Sequence, residues 1–561
     1  MRYLPVKQYD FQNPGLHVDG YKTGHINQFP DNTTFCYSNF TPRSTKHLAT
    51  LDDFDDRIVF FGLNGLIQWY LINEWNDKFF NRPVEAVVSL YQKTMDDYLG
   101  PGIVGTDHIR ALHELGYLPI LIKALPEGSR VNVRVAMWTI QNTLPEFFWL
   151  TNYLETQLSA QFWKSPTTAT TAFEFKRLFI RYAHQTGVPV DSVDGQLVFS
   201  DVQGHDFAMR GMSGCTDAIM QAAAHLTSHH GTDTVPAILY IKELYGDDSF
   251  VGCSVPATEH AVMCMGGKDD EVHTIYRLIA EIYPKGIVSI VSDTWDFWNT
   301  LCNTTKLLKP EIMARDGKVV FRPDSGNPAD IICGTARSMD YCGSVRDACS
   351  EARYAGVGVF TYGGAYYEVC ESLAVAPHGA FTVDGLSYLR VEPTPEMMGA
   401  VQVLWDNFGG TETDKGFKVL DSHVGLIYGD SINLKVAEDI FQRLITKGFA
   451  SNNIVFGVGS FTYQFVTRDT IGSAIKATYG CVNGEYRELF KDPKTDNGVK
   501  KSARGLIRIE GNDEDGFTQF DQQSLDEVTK GLLRPVFYEG KYIDHGDTIS
   551  VIRERLNKQV Y

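Results

Sequence analysis

The segment VVFRPDSGNP, residues 319–328, is an apolar run that ends on Arg322, Pro323, Asp324, Ser325 and Gly326 in immediate succession. The apolar residues predict a buried strand, and the residues after them have two interpretations. Pro, Asp, Ser and Gly are the usual turn formers, so the segment can be a simple turn. The alternative is a site that binds a ligand carrying both phosphate and hydroxyl groups, because a cation and a carboxylate meet at one strand end.

Three other apolar runs end in the same way. They are IVSIVSD (287–293), ending in Asp293; GLIYGD (425–430), ending in Gly429 and Asp430; and NIVFGVGS (453–460), ending in Gly457, Gly459 and Ser460. Helical patterns follow at least two of the four runs. One is 433–448, whose apolar face would hold Leu434, Ala437, Ile440, Leu444 and Ile445. Barrels of parallel strands and helices place their active sites at the carboxyl ends of the strands. The pattern therefore predicts an α/β barrel with a site at this end.

The stretch 331–393 has a different character. It is rich in glycine and tyrosine and contains four cysteines, and we interpret it as an insertion between two βα units. The following segment, 394–410, predicts one helix with Thr394 as N-cap, Pro395 in the first turn and Gly409 and Gly410 at its end. Its core-facing residues would be Met397, Val401, Leu404 and Phe408.

The bulk composition limits the classes of function. The 561 residues carry a net charge of −18, which argues against non-specific nucleic-acid or anionic-membrane binding. The ten cysteines include no C-x-x-C pair, which is typical of free thiols in a reducing compartment. The N-terminal segment lacks the apolar region of a signal peptide, and no stretch reaches membrane-spanning length. We expect a soluble, cytoplasmic protein.

The strand ends suit a sugar phosphate with an activated anomeric carbon. Carboxylates such as Asp293, Asp324 and Asp430 can bind sugar hydroxyls, orient Mg²⁺ through water and stabilise positive charge on the ring. Glycine backbone N–H groups and cations bind phosphates. Cations in this acidic chain lie in 467–476 and 490–505: Arg468, Lys476, Lys491, Lys494, Lys500 and Lys501. A lysine run is more often a solvated face, and this is our interpretation of Lys494 and Lys501.

A family resemblance rests on motifs spread over most of the chain apart from 331–393. In order they are HVDGYKTGHINQFP (17–30), LPEFFWLTNYLETQLSAQFW (144–163), GHDFAMRG (204–211), GTDTVPA (231–237), SVPATEH (254–260), VSD, RPDSGNP, GD, FGVGS with TRD, and FKDPKTDNG (490–498). Together they resemble the nicotinate/nicotinamide phosphoribosyltransferase family. No single motif would suffice, but their common order makes the match specific.

The resemblance implies an organisation and an activity. The fold would be α/β, with a (βα) barrel-like core at 181–466, interrupted by the insertion 331–393. A flanking mixed α/β region would be built from 1–180 and 467–561. The enzyme would transfer the phosphoribosyl group of 5-phosphoribosyl 1-pyrophosphate to nicotinamide, giving nicotinamide mononucleotide and pyrophosphate in NAD salvage. Mg²⁺ would assist, ATP would be a co-substrate, and a homodimer would complete each site from both chains.

The resemblance also assigns the base-binding residues. Phe207 would stack on the pyridine ring, with Tyr21 of a second subunit on the opposite face, an arrangement that suits a flat heteroaromatic ring. Arg210 would bind the carbonyl group of the base. Asp233 would accept a hydrogen bond from the carboxamide and repel the carboxylate of nicotinic acid. The bland alternatives are core packing for Phe207 and a turn or helix cap for Asp233.

By the same resemblance, His260 would be phosphorylated transiently by ATP, with Asp293 or another acid orienting the ring. Asp293 and Asp324 would be catalytic and would bind Mg²⁺, through water if not directly. The phosphoribosyl and phosphate groups would be held by Arg43, Arg322, Gly429, Asp430, Gly459, Ser460, Arg468, Lys476, Lys491 and Lys500. Two positions depart from the family pattern: Ser460 replaces a glycine, and Ala474 replaces a phosphate-binding serine for which neighbouring Ser473 should point the wrong way.

Three other functions stay open on the sequence. The same chemistry on nicotinic acid is the nearest, and Asp233 argues against it. A non-catalytic protein on the same scaffold should have lost some of the acids, whereas all of them and His260 are present. An unrelated barrel enzyme with paired acids, such as a glycosidase, leaves Arg322, Arg468 and Lys476 unexplained.

Overall fold

A ring of parallel strands forms the centre of the molecule. The structure is a computed structural model that describes residues 10–192, 196–370, 381–383, 386–490 and 503–560. The strands are β1 (Gly204–Asp206), β2 (Gly231–Thr232), β3 (Lys285–Val291), β4 (Asp316–Arg322), β5 (Val424–Tyr428) and β6 (Val455–Val458). They pair in the order β2-β1-β6-β5-β4-β3. Segment 253–257 closes the ring, since Cys253 bridges to Gly231 and Ala257 bridges to Ser289, both in parallel. The predicted α/β, barrel-like core is confirmed.

Helices surround this ring and extend into the flanking region. Those of nine residues or more are Val84–Leu99, Asp107–Leu115, Leu150–Phe162, Lys164–Thr186, Cys215–His225, Val235–Leu244, Val345–Tyr354, Ala400–Phe408, Leu434–Thr446 and Ile549–Asn557. The helix predicted at 433–448 is Leu434–Thr446, with the Asn433 side chain capping it by accepting a hydrogen bond from Val436 N. Its predicted apolar face is buried except at Ile445, which is half-buried.

The single helix predicted at 394–410 is wrong. The chain forms two helices, Pro395–Met398 and Ala400–Phe408, separated by Gly399 at φ 86°. A Cβ built on Gly399 would lie 2.2 Å from the backbone N of Gly334, and one on Gly334 would lie 2.3 Å from Met397 O. Two backbones therefore cross in contact, which only glycine permits. The predicted cap and core residues still hold, since Thr394 caps the first helix and Val401, Leu404 and Phe408 are buried, while Met397 is half-buried.

This crossing, Gly334 with Gly399, is the neck of the insertion. Helix Pro328–Cys333 leads into it from the barrel. Thr335 N donates to Glu396 O at 2.8 Å, and Lys447 Nζ donates to Met398 O at 2.9 Å. The two ends of the intervening segment are thus fixed side by side on the barrel wall.

Between these ends lies a small α/β unit with its own core. Its sheet has the strand order Arg337–Ser338, Val359–Tyr362, Ala365–Cys370, Leu386–Val391 and Phe381–Val383, and helix Val345–Tyr354 packs on it. The core consists of Met339, Ala348, Cys349, Ala352, Phe360 and Tyr388. The insertion is therefore a folded unit rather than an extended loop.

An antiparallel sheet beside the barrel takes strands from both ends of the chain. The order is Glu485–Glu488, Ala474–Val482, Thr33–Thr41, Trp138–Asn142, Ile120–Ala124, Arg534–Tyr538 and Lys541–Tyr542. Two two-stranded ribbons accompany it, Arg57–Val59 with Arg130–Asn132 and Leu506–Asn512 with Gly516–Gln523; a third, Gly410–Glu412 with Lys418–Leu420, packs on the barrel. Phe40 and Trp138 stack in the core of the antiparallel sheet with ring centroids 5.4 Å apart. The sheet makes one unit of the first and last parts of the sequence; the domain boundaries stay a prediction.

Two sequence expectations concern the whole chain. All ten cysteines are free thiols, and Cys36, Cys333, Cys349 and Cys481 are buried. Among the helices of the described ranges, none combines the length and the apolar character that crossing a bilayer requires.

Candidate active site

A cleft of about 720 Å³ opens at the carboxyl ends of the barrel strands. Because the strands are parallel, all six direct their last residues to this edge. The cleft is lined by residues that follow β1, β2, β4, β5 and β6 and by segment 257–259: Phe207, Met209, Arg210, Gly211, Asp233, Ala257, Thr258, Glu259, Arg322, Asp324, Gly429, Asp430, Ser431, Gly459, Ser460 and Phe461. Eight of the predicted substrate-binding residues and one predicted catalytic acid, Asp324, are thus brought together.

The RPDSGNP segment joins strand β4 to the next helix while aiming acids at the cleft. The buried Asp293 carboxylate receives hydrogen bonds on Oδ2 from Asp324 N (3.0 Å) and Ser325 Oγ (2.6 Å). Gly326 adopts φ 92°, which turns the chain, and Asn327 then caps the helix that begins at Pro328. The segment is therefore a turn, as one interpretation predicts, and it also places Arg322 and Asp324 at the cleft; binding of a phosphate or hydroxyl group stays a prediction.

His260 lies in front of the two acids. Its Nδ1 is 3.1 Å from Thr294 Oγ1, and its Nε2 is 3.9 Å from both Asp293 Oδ1 and Asp324 Oδ2. The hydrogen-bonding partner of the ring is thus a hydroxyl, where the sequence led us to expect an acid. Asp293 Oδ1 is buried and has no hydrogen-bond partner among the described residues. An unsatisfied buried carboxylate oxygen beside an exposed histidine is suited to receive a ligand or a proton.

A third acid extends this negative region. Burial raises the pKa of the Tyr428 hydroxyl, and the charges of Asp430, Asp293 and Asp324 raise it further. All three carboxylates therefore act on one point at the end of β5. Asp430 itself accepts a hydrogen bond from Ser431 Oγ at 3.0 Å.

The ring of Phe207 rests on a floor of glycine. A Cβ on Gly457 would lie 2.3 Å from Phe207 Cδ2, and a Cβ on Gly429 would lie 2.8 Å from the same atom. Neither position can carry a side chain without moving the ring. Gly429 and Gly457, at the carboxyl ends of β5 and β6, thus leave room for the Phe207 ring at the cleft. This close fit to two glycines distinguishes Phe207 from an ordinary core residue.

Asp233 faces the cleft from the end of β2. Its Oδ1 accepts hydrogen bonds from His205 Nε2 (2.9 Å) and Ser254 Oγ (2.5 Å). Burial alone would raise the pKa of the Asp233 carboxyl, but these bonds and the charges of His205 and Arg322 hold its pKa below the usual value. Asp233 is therefore ionised at neutral pH, as recognition of an amide N–H requires.

Arg322 connects the base side of the cleft to the acids. Its Nη2 donates to Thr258 O at 2.7 Å, and its Nε lies 3.8 Å from Asp324 Oδ1. The same side chain lines a second cavity of about 330 Å³ that runs into the barrel beneath Phe207 and Asp233. Arg322 therefore lines both cavities.

Four of the predicted substrate-binding residues in the described ranges lie outside the cleft. The Tyr21 side chain is 66% exposed. The pKa of Arg43 is lowered by the burial of its own side chain and by the nearby charge of Arg468. The charge of Arg468 also acts on Tyr21, while Lys476 pairs with Asn39 in the antiparallel sheet. They form a second, basic surface with an exposed aromatic ring. Lys491 and Lys500, with Lys494 and Lys501, fall outside the described residues.

The two departures from the family pattern have a structural setting. Ser460 Oγ would lie 2.0 Å from a Cβ on Gly211, so the hydroxyl packs over that glycine. Ala474 is buried, and Ser473 is buried with its hydroxyl directed to Arg468 O at 3.3 Å. Ser473 therefore does not replace the missing serine.

Comparison with known proteins identifies the family of the chain. Residues 202–541 match the model of the nicotinate phosphoribosyltransferase (NAPRTase) family. The chain belongs to this family. A protein of Acinetobacter baylyi named nicotinamide phosphoribosyltransferase is 50% identical over 554 residues, covering 98% of both chains. One of the same name from Mycoplasma pneumoniae is 30% identical over 513 residues, covering 88% of this chain and 97% of the other. The resemblance stated from the sequence is confirmed.

Solved structures give weaker likenesses. The nicotinate-nucleotide pyrophosphorylase of Pyrococcus furiosus is 14% identical with a TM-score of 0.49, covering 100% of this chain and 98% of the other. Human nicotinic acid phosphoribosyltransferase is 13% identical with a TM-score of 0.47, covering 96% and 93%.

Sequence reasoning missed several residues of this phosphoribosyltransferase site. His205, Ser254, Thr294 and Ser325 each contact a residue that the sequence singled out. His205 could have been found, because residues two apart on a strand face the same side and Phe207 was already assigned. The partners of Thr294 and Ser254 depend on how separate strand ends meet, and nothing in their local sequence indicates them.

The acids also fit the expected Mg²⁺. Within the described ranges, no group of three or more His, Cys, Asp or Glu side chains is placed to hold a metal ion. Mg²⁺ usually binds through one or two carboxylates, retained waters and substrate phosphates. The unpaired Asp293 Oδ1 with neighbouring Asp324 offers such a partial set.

Proposed function

We propose that this phosphoribosyltransferase joins nicotinamide to 5-phosphoribosyl 1-pyrophosphate, forming nicotinamide mononucleotide and pyrophosphate. The observation that carries the proposal is the ionised Asp233 beside the Phe207 ring. The carboxylate can accept a hydrogen bond from a carboxamide and repels a carboxylate. The names of the two relatives support the same substrate.

The acids serve the transfer step. The ring nitrogen of nicotinamide forms a bond to the anomeric carbon while the bond from that carbon to pyrophosphate breaks. Positive charge develops on the sugar, and the carboxylates of Asp324, Asp293 and Asp430 stabilise it. Asp293 and Asp324 would hold Mg²⁺, which supplies charge neutralisation for the departing pyrophosphate.

His260 gives the site its link to ATP. Its ring is 49% exposed, so Nε2 can be approached from the cleft while Nδ1 is held by Thr294. Imidazole is a good nucleophile near neutral pH. In this proposal Nε2 of His260 attacks the γ-phosphorus of ATP, the bond from that phosphorus to the β,γ-bridging oxygen breaks and ADP leaves, and the phosphohistidine stimulates turnover.

A second copy of the chain completes each site. The basic surface of Tyr21, Arg43, Arg468 and Lys476 does not line the cleft of its own chain. In a homodimer, Tyr21 covers the open face of the base, and the cations bind phosphate.

The test is product formation from nicotinamide and phosphoribosyl pyrophosphate with Mg²⁺, run beside nicotinic acid and with or without ATP. The expected result is nicotinamide mononucleotide from the amide only, formed faster with ATP. Turnover of nicotinic acid instead would overturn the specificity argument and leave the fold standing. A protein that is dimeric and folded yet inactive with both bases would contradict the proposal.

A further inference from the structure

The residues that hold Asp233 decide how well it can discriminate between bases. Oδ1 is fully engaged by His205 Nε2 and Ser254 Oγ, while Oδ2 accepts no hydrogen bond from any described residue. The Asp233 backbone is fixed as well, since its N donates to Asp206 O at 3.0 Å. The free oxygen therefore has one position and one direction.

His205 is built into the barrel so that it can reach this carboxylate. It lies on β1 opposite Gly231 of β2, and a Cβ on Gly231 would lie 2.6 Å from His205 Nδ1. On the other side its ring contacts Phe207, with centroids 4.9 Å apart. The imidazole is 12% exposed. It lies between Gly231, which has no side chain, and the ring of Phe207.

We infer that His205 is a specificity-determining positioning residue, which orients the Asp233 carboxylate so that its free oxygen selects a carboxamide over a carboxylate. This inference rests on the proposed function and names a further residue of the same site. Because Asp233 Oδ1 is an acceptor only, His205 must carry its proton on Nε2. A hydrogen bond to a charged acceptor is stronger than a neutral one, so this contact also favours the ionised form of Asp233.

The arrangement has two consequences for the base. A carboxamide N–H donates to an ionised oxygen of Asp233, and binding is favoured because the Asp233 carboxylate is already held in place. A carboxylate meets the same fixed charge and is rejected. Without His205, Asp233 can turn and can take up a proton more readily, and both preferences weaken.

The test compares three variants with the parent enzyme: His205→Leu removes the donor, His205→Gln restores an N–H donor at a similar reach, and Ser254→Ala removes the second donor. KM and kcat are measured for nicotinamide and for nicotinic acid. We expect His205→Leu to raise KM for nicotinamide by about ten- to a hundredfold, the range for a hydrogen bond to a charged group, with a smaller change in kcat. The preference for nicotinamide over nicotinic acid should fall at least about tenfold. His205→Gln should recover most of it.

Equal losses for both bases in His205→Leu, or a preference that does not change, would overturn the inference. KM for phosphoribosyl pyrophosphate reports whether the sugar-phosphate half is intact. If His205→Leu does not fold, Gly231→Ala tests the same point by pushing the imidazole away from β2. Failure of the proposed function has a separate signature, because the parent enzyme itself would then not prefer nicotinamide.

Discussion

At this site some residues matter because they have no side chain, and others because of the group that their side chain carries. Gly457 is the clearest case, because its absent side chain is the space that the Phe207 ring occupies. His260 shows the other kind of dependence, since one hydroxyl sets the direction of its ring.

Gly457→Ala should displace the Phe207 ring and weaken stacking on the base. We expect KM for nicotinamide to rise by about two- to tenfold, the range for an aromatic pair. KM for phosphoribosyl pyrophosphate should change less. Gly358→Ala is the matched control, because a Cβ there meets nothing within 4 Å. An unchanged nicotinamide KM in Gly457→Ala would show that Phe207 does not stack on the base.

Thr294→Val should remove the hydrogen bond that orients His260. The loss is expected to reduce the stimulation by ATP about two- to tenfold, because a net hydrogen bond is worth about 0.5–1.5 kcal/mol. Product formation without ATP should be unaffected, and Thr294→Ser should behave like the parent. Acid-labile phosphate bound to the protein gives a direct readout. Full stimulation in Thr294→Val would mean that another group orients the imidazole.

At the scale of elements, the insertion is attached to the barrel at one point. The neck of Gly334 and Gly399 brings its two ends into backbone contact, and the inserted unit has a core separate from that of the barrel. The helix interruption at Gly399 follows from this attachment and not from local sequence.

Deletion of 335–398, joining Gly334 directly to Gly399, should therefore leave the barrel intact. The ends are close enough for one peptide link, and insertions joined at adjacent points are usually dispensable for folding. We expect kcat/KM for nicotinamide to stay within about threefold of the parent. By contrast, Gly399→Val should lower the free energy of unfolding by about 1–3 kcal/mol, because it forces a side chain into the neck at positive φ. Steady-state kinetics measures the first prediction, and urea unfolding measures the second. An inactive but folded deletion variant would show that the insertion serves the active site.

At the scale of the whole molecule, the first and last parts of the chain form one sheet, and a buried acid joins three regions beside it. Glu127 accepts hydrogen bonds from Asn64 N (2.7 Å) and Tyr245 Oη (3.0 Å), and its own N donates to Asp547 (3.4 Å). Burial raises the pKa of the Glu127 carboxyl to about 7.

This raised pKa makes stability depend on pH. The unfolded carboxyl loses its proton near pH 4.5, whereas the folded one keeps it to about 7. The contribution of Glu127 to the free energy of unfolding is thus largest below pH 4.5, falls as pH rises to 7 and is constant above. Relative to the parent, Glu127→Gln should gain up to about 3 kcal/mol between pH 4.5 and 8. Urea unfolding at both pH values measures this, with exposed Glu412→Gln as control. No relative gain would mean that Glu127 is ionised in the folded protein throughout.

The barrel and the group of acids could be predicted from the sequence, because polar residues that follow successive parallel strands must lie at the same edge of the barrel. Asp293, Asp324 and Asp430 were found in this way, whereas Phe207 was assigned through the family resemblance, and the structure places all four at one edge. Gly399 was missed because a glycine within a helical pattern is tolerated, and its reason is a contact with the distant Gly334. His205 and Thr294 were missed because each depends on which strand ends become neighbours.

The closed ring of strands divides recognition between two arcs. In the proposed function, Phe207 and Asp233 after strands β1 and β2 bind the base, while the acids and Arg322 at the ends of β3, β4 and β5 serve the sugar and its phosphates. Mutations in one arc should disturb the other least where the arcs are not in contact, that is, away from Gly429, which supports the Phe207 ring, and from Arg322, whose charge acts on Asp233. A lineage could thus acquire a new base while it keeps the same ribosyl donor. Substitutions that change the preferred base would then lie at the ends of β1 and β2, and the fold would stay the same.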